Sequence, residues 1–444
     1  MTAEINLDQI SKYQKNLDNR KDSKVIERAV THQGILESSE DFTAEGKMSP
    51  VFSIDLSTGK VADQKQSGRC WMFAALNTMR IHLMNTYKVP DDFELSQNYT
   101  NFWDKFEKAN YFLENVLKTA DQPLDSRKVA WLMATPQQDG GQWDMLCALI
   151  EKYGIVPKSA MPETFNSNRS SQLNKFLNLK LRHDAVSLRE LVADKASEAK
   201  IAETKDNMMS EVYRMLTYAL GEPATKFDFE YRDKDKNYHF DAGITPQEFF
   251  KKYVNLNLED YVSLINSPTD DKPFNKTYTI EMLGNVVNGR AVKHLNLEMS
   301  ELKKLAIKQL QNGESVWFGS DVGQSSNTKK GIMDTSLYAP DELFDSDLSM
   351  SKAERLDYGE SLMTHAMVIT GVDLVDGQPT KWKVENSWGE KVGTKGYFVM
   401  SDDWMNEFVY QFVINKKYLT DEQLEAQKQE PIVLKPWDPM GALA

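Results

Sequence analysis

The distribution of apolar positions predicts helices in the first half of the chain. Apolar side chains recur at helical spacing after Cys70, and no Gly or Pro interrupts the sequence up to Tyr87, so a helix is expected there. A second helix should begin after Ser96, a typical N-cap residue, and continue to about Leu117. Residues 187–220 are charged and rich in helix-forming side chains, which predicts further helix.

A third helix should follow the pair Gly140 and Gly141. One of its faces is apolar, Gly154 stops it and Pro157 lies just beyond, as is usual at a helix end. Beyond residue 300 the pattern changes to alternation with many Val and aromatic residues, which indicates strands. The predicted strands are SVWFGSDVG (315–323), HAMVITGVDLV (365–375), TKWKVENSW (380–388) and GYFVM (396–400), with a turn at 376–380.

Composition and charge narrow the classes of function. The 444 residues carry 53 Lys and Arg against 66 Asp and Glu, a net charge of −13, so nucleic acid, which requires a basic surface, is not expected as a partner. No apolar stretch approaches the roughly 18 residues of a membrane span, and we predict no secretory signal. Two cysteines cannot form a disulfide framework, which favours a reducing, cytoplasmic location.

Cys70 is the candidate nucleophile. It stands at the predicted start of a helix, two residues after Gly68, where the helix dipole and unpaired N–H groups favour a thiolate. The alternative is that Cys70 is a small buried apolar residue, as most isolated cysteines are. Cys147 lies in the middle of a predicted apolar helix, so we interpret it as a core residue.

A thiolate nucleophile needs a base and a group that orients the base. His365 begins one predicted strand and Asn386 ends the next, so the turn at 376–380 should bring both to the same end of a hairpin. Asn386 would then accept the imidazole N–H and fix the tautomer. A structural role is the alternative for an isolated histidine. The other histidines show no metal-ligand spacing, and we expect neither a metal nor a cofactor.

Four segments resemble the signature blocks of papain-like cysteine peptidases. They are QKQSGRCWMFA, DGGQW, THAMVITGVD and ENSWGEKVGTKGYFVM, and the order of glutamine, cysteine, histidine and asparagine is also that of the family. The resemblance implies that Gln64, six residues before Cys70, donates a hydrogen bond to the oxyanion of the reaction. The backbone N–H of Cys70 would be the second donor.

The same resemblance assigns roles to three further residues. Gly140 and Gly141 would present backbone to an extended substrate, with Gly141 as the nearer contact. A simple turn or helix start is the alternative for this pair. Trp388 would shield the hydrogen bond between His365 and Asn386 from water, and ordinary core packing is its alternative.

Two departures from the common papain pattern are informative. Ser67 stands where the usual signature has a cysteine used in a disulfide, and Arg69 replaces a small residue beside the nucleophile. Arg69 either adds positive charge or is simply solvated. The nucleophile and the histidine are 295 residues apart, against about 130–150 in papain relatives. Large insertions are therefore expected near 100–135 and within 160–300.

Over nearly its whole length the chain resembles the bleomycin hydrolase and aminopeptidase C family, most closely its bacterial members. The segments RCWMFAALN, SVWFGSDVG and WDPMGALA carry this resemblance. It implies an α+β, papain-like fold with large, mainly helical insertions, assembled as a homohexamer. The expected divisions are an N-terminal wrapping segment (1–60), a helical half with the nucleophile (61–160), an inserted region for assembly (161–300), a β half with the histidine and asparagine (301–418) and a C-terminal arm (419–444).

The resemblance implies a cysteine aminopeptidase whose C-terminal arm lies in the cleft. An arm tip ending in Leu443 and Ala444 would block longer chains, and the Ala444 carboxylate would meet the free α-amine of a peptide substrate. A disordered tail is the alternative. Three other functions stay open: an endopeptidase with an open cleft, an amidase or acyltransferase on the same residues, and a noncatalytic or nucleic-acid-binding barrel.

Overall fold

The structure is a computed structural model that describes residues 4–443 of the chain. Helices dominate its first half and recur between the strands of its second half. Their bounds are α1 Leu7–Asp18, α2 Ser23–Gln33, α3 Ile35–Ser39, α4 Phe42–Gly46, α5 Cys70–Tyr87, α6 Gln97–Lys118, α7 Arg127–Ala134, α8 Trp143–Tyr153, α9 Phe165–Asn168, α10 Ser171–Ala193, α11 Glu198–Leu220, α12 Pro246–Phe249, α13 Met299–Gln311, α14 Pro340–Phe344, α15 Lys352–Tyr358, α16 Asp402–Phe408 and α17 Asp421–Lys428.

The strands form one large, mixed sheet and one separate two-stranded ribbon. Their bounds are β1 Ile54–Asp55, β2 Phe227–Arg232, β3 Tyr238–Ile244, β4 Tyr261–Ile265, β5 Lys276–Ile280, β6 His294–Asn296, β7 Val316–Ser320, β8 Ser326–Asn327, β9 Ile332–Met333, β10 His365–Val375, β11 Gln378–Glu385, β12 Tyr397–Ser401, β13 Val409–Asn415 and β14 Ile432–Leu434. The order across the large sheet is β14-β5-β6-β4-β13-β7-β10-β11-β12-β9-β8, with β1 added to β10, and β2 pairs with β3.

The predicted helices around the nucleophile are confirmed, and their ends have the expected causes. Helix α5 extends from Cys70 to Tyr87. The Ser96 hydroxyl accepts the backbone N–H of Tyr99 at 3.1 Å and caps α6. Helix α8 ends where Gly154 takes a φ of +69°, which glycine adopts without strain.

The predicted hairpin is also present. Strands β10 and β11 pair in antiparallel fashion. The turn between them contains Asp376 and Gly377, whose φ angles are +50° and +78°, as two-residue hairpin turns require. His365 is the first residue of β10 and Asn386 directly follows β11, so both lie at the end of the hairpin opposite the turn.

Helices pack on both faces of the large sheet. On one face, α5 and α8 form a core with β7, β10 and β13 that includes Trp71 and Trp317. On the other face, α13 and α16 pack against the alternate residues of the same strands, including Phe318 and Phe412. A third core joins α6, α10 and α11. The central strands are therefore buried on both sides, and the end of β10 that carries His365 is held rigidly.

This arrangement confirms the α+β class. The large sheet also contains β4, β5 and β6, which come from residues 261–296, a stretch that the sequence analysis assigned to the inserted region.

At the other end of the chain, α1 and α2 bury none of their described residues. Within residues 4–443, no helix is both long enough and apolar enough to cross a membrane.

Candidate active site

The thiol of Cys70 is buried at the first turn of α5, with 2% of the residue exposed. Burial raises the pKa of this thiol to about 11, against the effect of the backbone N–H groups of Ala366, Trp71 and Cys70, which favour the ionised form. Ala366 directly follows His365 in the chain. Cys70 and Ala366 belong to the same buried core, so the start of β10 lies near the start of α5.

Cys147 has a different setting, as the sequence predicted. It lies in the middle of α8 and has no exposed surface. Burial raises the pKa of Cys147 well above its usual value. Its interpretation as a core residue is confirmed, and it serves as a natural control for Cys70.

The imidazole of His365 is held by Asn386. His365 Nε2 and Asn386 Oδ1 are 2.9 Å apart, and the same oxygen accepts the backbone N–H of Ser387 at 2.7 Å. Because an amide oxygen can only accept, Nε2 carries the hydrogen and Nδ1 is left as the proton acceptor. The Trp388 ring covers the imidazole, with ring centroids 4.7 Å apart. Burial lowers the pKa of His365 to about 4, against the hydrogen bond to Asn386, which raises it.

The Gln64 amide is fixed beside the loop that precedes the nucleophile. Its Nε2 donates to the carbonyl of Ser67 at 2.6 Å, and its Oε1 accepts the hydroxyl of Ser387 at 2.5 Å. The backbone N–H of Gln64 donates to the carbonyl of Ser387 at 2.8 Å. Ser67 accepts one of the two Nε2 hydrogens, so the second is available to another acceptor.

The glycine pair lies against Trp71, the residue that directly follows the nucleophile. A Cβ atom at Gly141 would lie 2.5 Å from ring atoms of Trp71, so any side chain there would displace the residue that follows Cys70. The carbonyl of Gly140 accepts a hydrogen bond from Lys108 Nζ at 2.6 Å. Bare backbone at Gly141 is therefore a condition for the close approach of this segment to the start of α5.

Arg69 is neither solvated nor a free positive charge. It has no exposed surface, and its guanidinium binds both carboxylate oxygens of Glu163 at 3.1 and 2.9 Å. Its Nε also donates to the Ser67 hydroxyl at 2.9 Å. The expectation of a solvated side chain was wrong, and the positive charge that Arg69 adds is paired with a carboxylate 94 residues further along the chain. Arg69 instead braces the loop that carries Gln64 and Cys70.

A second buried pair, also missed by the sequence analysis, connects the elements that carry the candidate residues. Arg80, on α5, donates to Glu385 Oε1 at 2.9 Å and to the carbonyls of Thr58 and Lys60 at 2.9 and 2.8 Å. Glu385 directly precedes Asn386 and also accepts the Asn77 amide at 3.0 Å. The pair therefore joins the nucleophile helix, the chain leading to Gln64 and the strand leading to Asn386. In the sequence, the only indication of this ion pair was the acidic residue Glu385 directly before Asn386.

The C-terminal arm is anchored at several points before its tip. Strand β14 pairs in parallel with β5. Asp438 forms a nearly buried ion pair with Lys272 at 3.1 Å, and the Arg127 guanidinium lies 4.0 Å from the centre of the Trp437 ring. The backbone N–H of Met440 donates to Asp438 Oδ1 at 2.9 Å, which holds the turn that leads into the tip.

The tip of the arm lies beside the glycine pair. Gln142 directly follows Gly141, and its Nε2 donates to the carbonyl of Ala442 at 2.6 Å. Ala442 and Leu443 pack against the core that contains Cys70. The predicted contact of Ala444 with the substrate amine lies outside the described residues. Across positions 4–443, no group of three or more His, Cys, Asp and Glu residues could hold a metal ion.

The fold and the arrangement of these side chains are those of a papain-like cysteine peptidase. A family model described as the Peptidase C1-like family matches residues 4–441. The chain belongs to this family.

Individual relatives agree with this assignment over their full length. Aminopeptidase C of Lactobacillus helveticus is 58% identical, with 100% of this chain and 99% of that protein aligned. Aminopeptidase C of Listeria innocua is 54% identical, with 100% of both aligned. The crystal structure of PepW from Lactobacillus rhamnosis HN001 is 65% identical and covers 100% of both chains, with a TM-score of 0.99. The predicted class, a cysteine-type aminopeptidase, is thereby confirmed.

Proposed function

We propose that this chain releases N-terminal amino acids from peptides by acyl transfer, first to Cys70 and then to water. One observation carries the proposal: His365 is bound to Asn386 through Nε2, and the strand that His365 begins packs in the same buried core as Cys70. Nδ1 takes the thiol proton, and the sulfur attacks the first peptide carbonyl. The imidazolium then protonates the leaving amine. The same imidazole next deprotonates the water that releases the amino acid.

The reactive form that we propose is a thiolate–imidazolium pair. Burial raises the pKa of Cys70 and lowers that of His365, so each group taken alone is uncharged at neutral pH. The pair has no net charge, and two unit charges about 4 Å apart attract by roughly 4 kcal/mol at an effective dielectric constant of about 20. This attraction offsets much of the penalty that burial imposes on each ion.

The oxyanion formed by attack on the carbonyl would be bound by Gln64 Nε2 and the Cys70 backbone N–H. The Ser67 and Ser387 contacts hold the Gln64 amide in place before substrate arrives. Such a fixed donor stabilises the transition state without rearranging during the reaction.

For Gln64→Ala we expect kcat to fall by about 10²–10³, the usual effect of losing one oxyanion donor. The remaining donor and the intact thiol should leave the activity measurable. The check is steady-state kinetics on an aminoacyl amide, with Gln64→Glu as a control that fills the same space without the amide donor. An unchanged kcat in both variants would exclude Gln64 from the oxyanion site.

The C-terminal arm would restrict the enzyme to the first residue of a peptide. Its tip is held beside the glycine pair by Gln142, where it would block any residues that precede the first residue of the bound substrate. The carboxylate of Ala444 would then attract a free α-amine. The arm would therefore both limit the length of chain that fits and recognise the charge of the α-amine.

The experiment that tests the function compares two substrates. One is an aminoacyl amide with a chromogenic leaving group and a free α-amine, and the other is its N-acetylated twin. We expect hydrolysis of the free-amine substrate only, and its loss after thiol alkylation. Equal or faster hydrolysis of the acetylated substrate would indicate an endopeptidase with an open cleft and would remove the role given to the arm.

We further propose a homohexamer in the cytoplasm, with the inserted region 161–300 in its contacts. The family resemblance is the basis for this assembly. Exposed apolar side chains support it, because Leu7 and Leu17 on α1 and Phe176 and Leu179 on α10 are each more than half exposed. Light scattering on the purified chain tests the assembly, and a monomeric mass would contradict it.

A further inference from the structure

A buried carboxylate, Asp139, contacts the chain on both sides of the nucleophile. Its Oδ2 accepts the backbone N–H of Gly68 at 3.0 Å, and Gly68 lies two residues before Cys70. Its backbone carbonyl accepts the indole N–H of Trp71, the residue after Cys70, at 2.8 Å. Asp139 also directly precedes Gly140. One residue therefore holds the loop before the thiol, the first turn of α5 and the glycine pair in one arrangement.

The negative charge of Asp139 is balanced by Lys105. Lys105 Nζ lies 2.7 Å from Asp139 Oδ1 and has no exposed surface. Asn174 Nδ2 donates to the same oxygen at 2.8 Å, and the Ser170 hydroxyl donates to Oδ2. Although burial opposes ionisation, the charge of Lys105 and these hydrogen bonds hold the pKa of Asp139 well below its usual range. The carboxylate is therefore ionised throughout the working pH range.

The other charged groups around Asp139 are already paired. Lys108 contacts Asp104 at 2.7 Å and donates to the carbonyl of Gly140 at 2.6 Å. On the loop side, Arg69 is paired with Glu163. Lys105 is consequently the cation that neutralises Asp139, and no neighbouring pair can replace it without breaking.

We propose that Asp139 and Lys105 are positioning residues for the nucleophile. Asp139 fixes the Gly68 turn, and with it the Cys70 N–H and thiol, while Lys105 cancels a negative charge that would otherwise oppose formation of the thiolate. The inference rests on the proposed role of Cys70 as the nucleophile. Lys105 would therefore influence the reactivity of Cys70 although it is buried and does not contact the substrate.

The residues that bind the Asp139 carboxylate come from the expected insertions, which gives the insertions a role beyond assembly. Lys105 lies on α6, Ser170 is the N-cap of α10 and Asn174 lies in the first turn of α10. These residues come from the two stretches in which insertions were expected. The insertions thus reach the active centre, so a shift of α10 would be transmitted to the Gly68 turn through one carboxylate.

The test measures the ionisation of Cys70 directly. In a Cys147→Ala background, Cys70 is the one remaining thiol of the chain, and its rate of alkylation by iodoacetamide is followed against pH. For Lys105→Met we expect the midpoint of this pH dependence to rise by about one pH unit, because the uncompensated Asp139 charge disfavours the thiolate. For Asp139→Asn we expect a shift to lower pH. The double variant Lys105→Met/Asp139→Asn should return to near the parent midpoint.

A role in folding alone would lower the thermal midpoint without moving the alkylation midpoint, and that result would overturn the inference. Ser170→Ala keeps Lys105 and Asp139 paired. It therefore allows the alkylation of Cys70 to be measured even if a variant that lacks one of these two charges does not fold. We expect this variant to raise the pH midpoint of Cys70 alkylation by a few tenths of a unit. An unchanged alkylation midpoint would contradict the proposal. Failure of the proposed function is distinguishable, because alkylation of Cys70 would then leave peptide hydrolysis intact.

Discussion

Replacing Cys70 with alanine should abolish hydrolysis of aminoacyl amides, with a loss in kcat on the order of 10⁶, as when the nucleophile of a serine peptidase is removed. In the proposed mechanism this thiol forms the acyl intermediate, so its removal leaves no nucleophile to attack the peptide carbonyl. Initial rates at saturating substrate, together with trapping of the acyl-enzyme by acid quench, measure the effect. The intermediate should be absent in the variant.

The matched control is Cys147→Ala. Both cysteines are buried, but Cys147 lies in the middle of α8 among apolar residues of that helix. We expect kcat within about twofold of the parent and a loss of roughly 1 kcal/mol in the free energy of unfolding, typical of a small core truncation. Normal turnover in Cys70→Ala, or loss of turnover in Cys147→Ala with the fold intact, would refute the assignment of the nucleophile.

The elements around this site could be predicted because their signals are local. A long interruption-free helix after Cys70, the cap at Ser96 and the turn at Asp376 and Gly377 each depend on a few neighbouring residues. The hairpin then brings its two ends together by geometry alone. For this reason the approach of His365 to an asparagine 21 residues away could be inferred without coordinates.

The charged supports of the site could not be predicted in the same way. Arg69 pairs with Glu163, and Arg80 pairs with Glu385, 305 residues further on. In the sequence these residues are ordinary members of a chain that is 27% charged, and nothing local indicates that they are buried. Their partners depend on how segments far apart in the chain pack around α5. A buried ion pair is therefore visible only in the folded chain, although losing one member typically costs about 3–5 kcal/mol.

The anchoring of the arm explains how a short C-terminal segment could act as a fixed part of the cleft. Most chain ends are disordered because ordering them costs conformational entropy. Here β14, the Asp438–Lys272 pair and the stack of Trp437 on Arg127 hold the chain before the tip. The contact from Gln142 then positions Ala442 beside the glycine pair.

Deleting residues 442–444 should therefore change the specificity of the enzyme more than its stability. The anchors and the buried Met440 remain, while Leu443 is lost and the terminal carboxylate moves back three residues, to Gly441. A charged hydrogen bond contributes about 1.5–3 kcal/mol, so we expect the preference for a free α-amine over its N-acetylated twin to fall by about 10–100-fold in kcat/KM. Internal cleavage of a peptide blocked at its N-terminus should appear, detected by mass spectrometry of the products.

The control for this deletion is full-length Leu443→Ala, which keeps the length of the arm and its terminal carboxylate. It should retain the preference for a free amine, because the charge and the steric limit are both preserved. If the deletion variant still rejects acetylated substrates while its thermal midpoint is unchanged, the cleft is closed by something other than the arm. If Leu443→Ala also loses the preference, the Leu443 side chain rather than the carboxylate sets the specificity, because this variant retains the carboxylate that was proposed to select the amine.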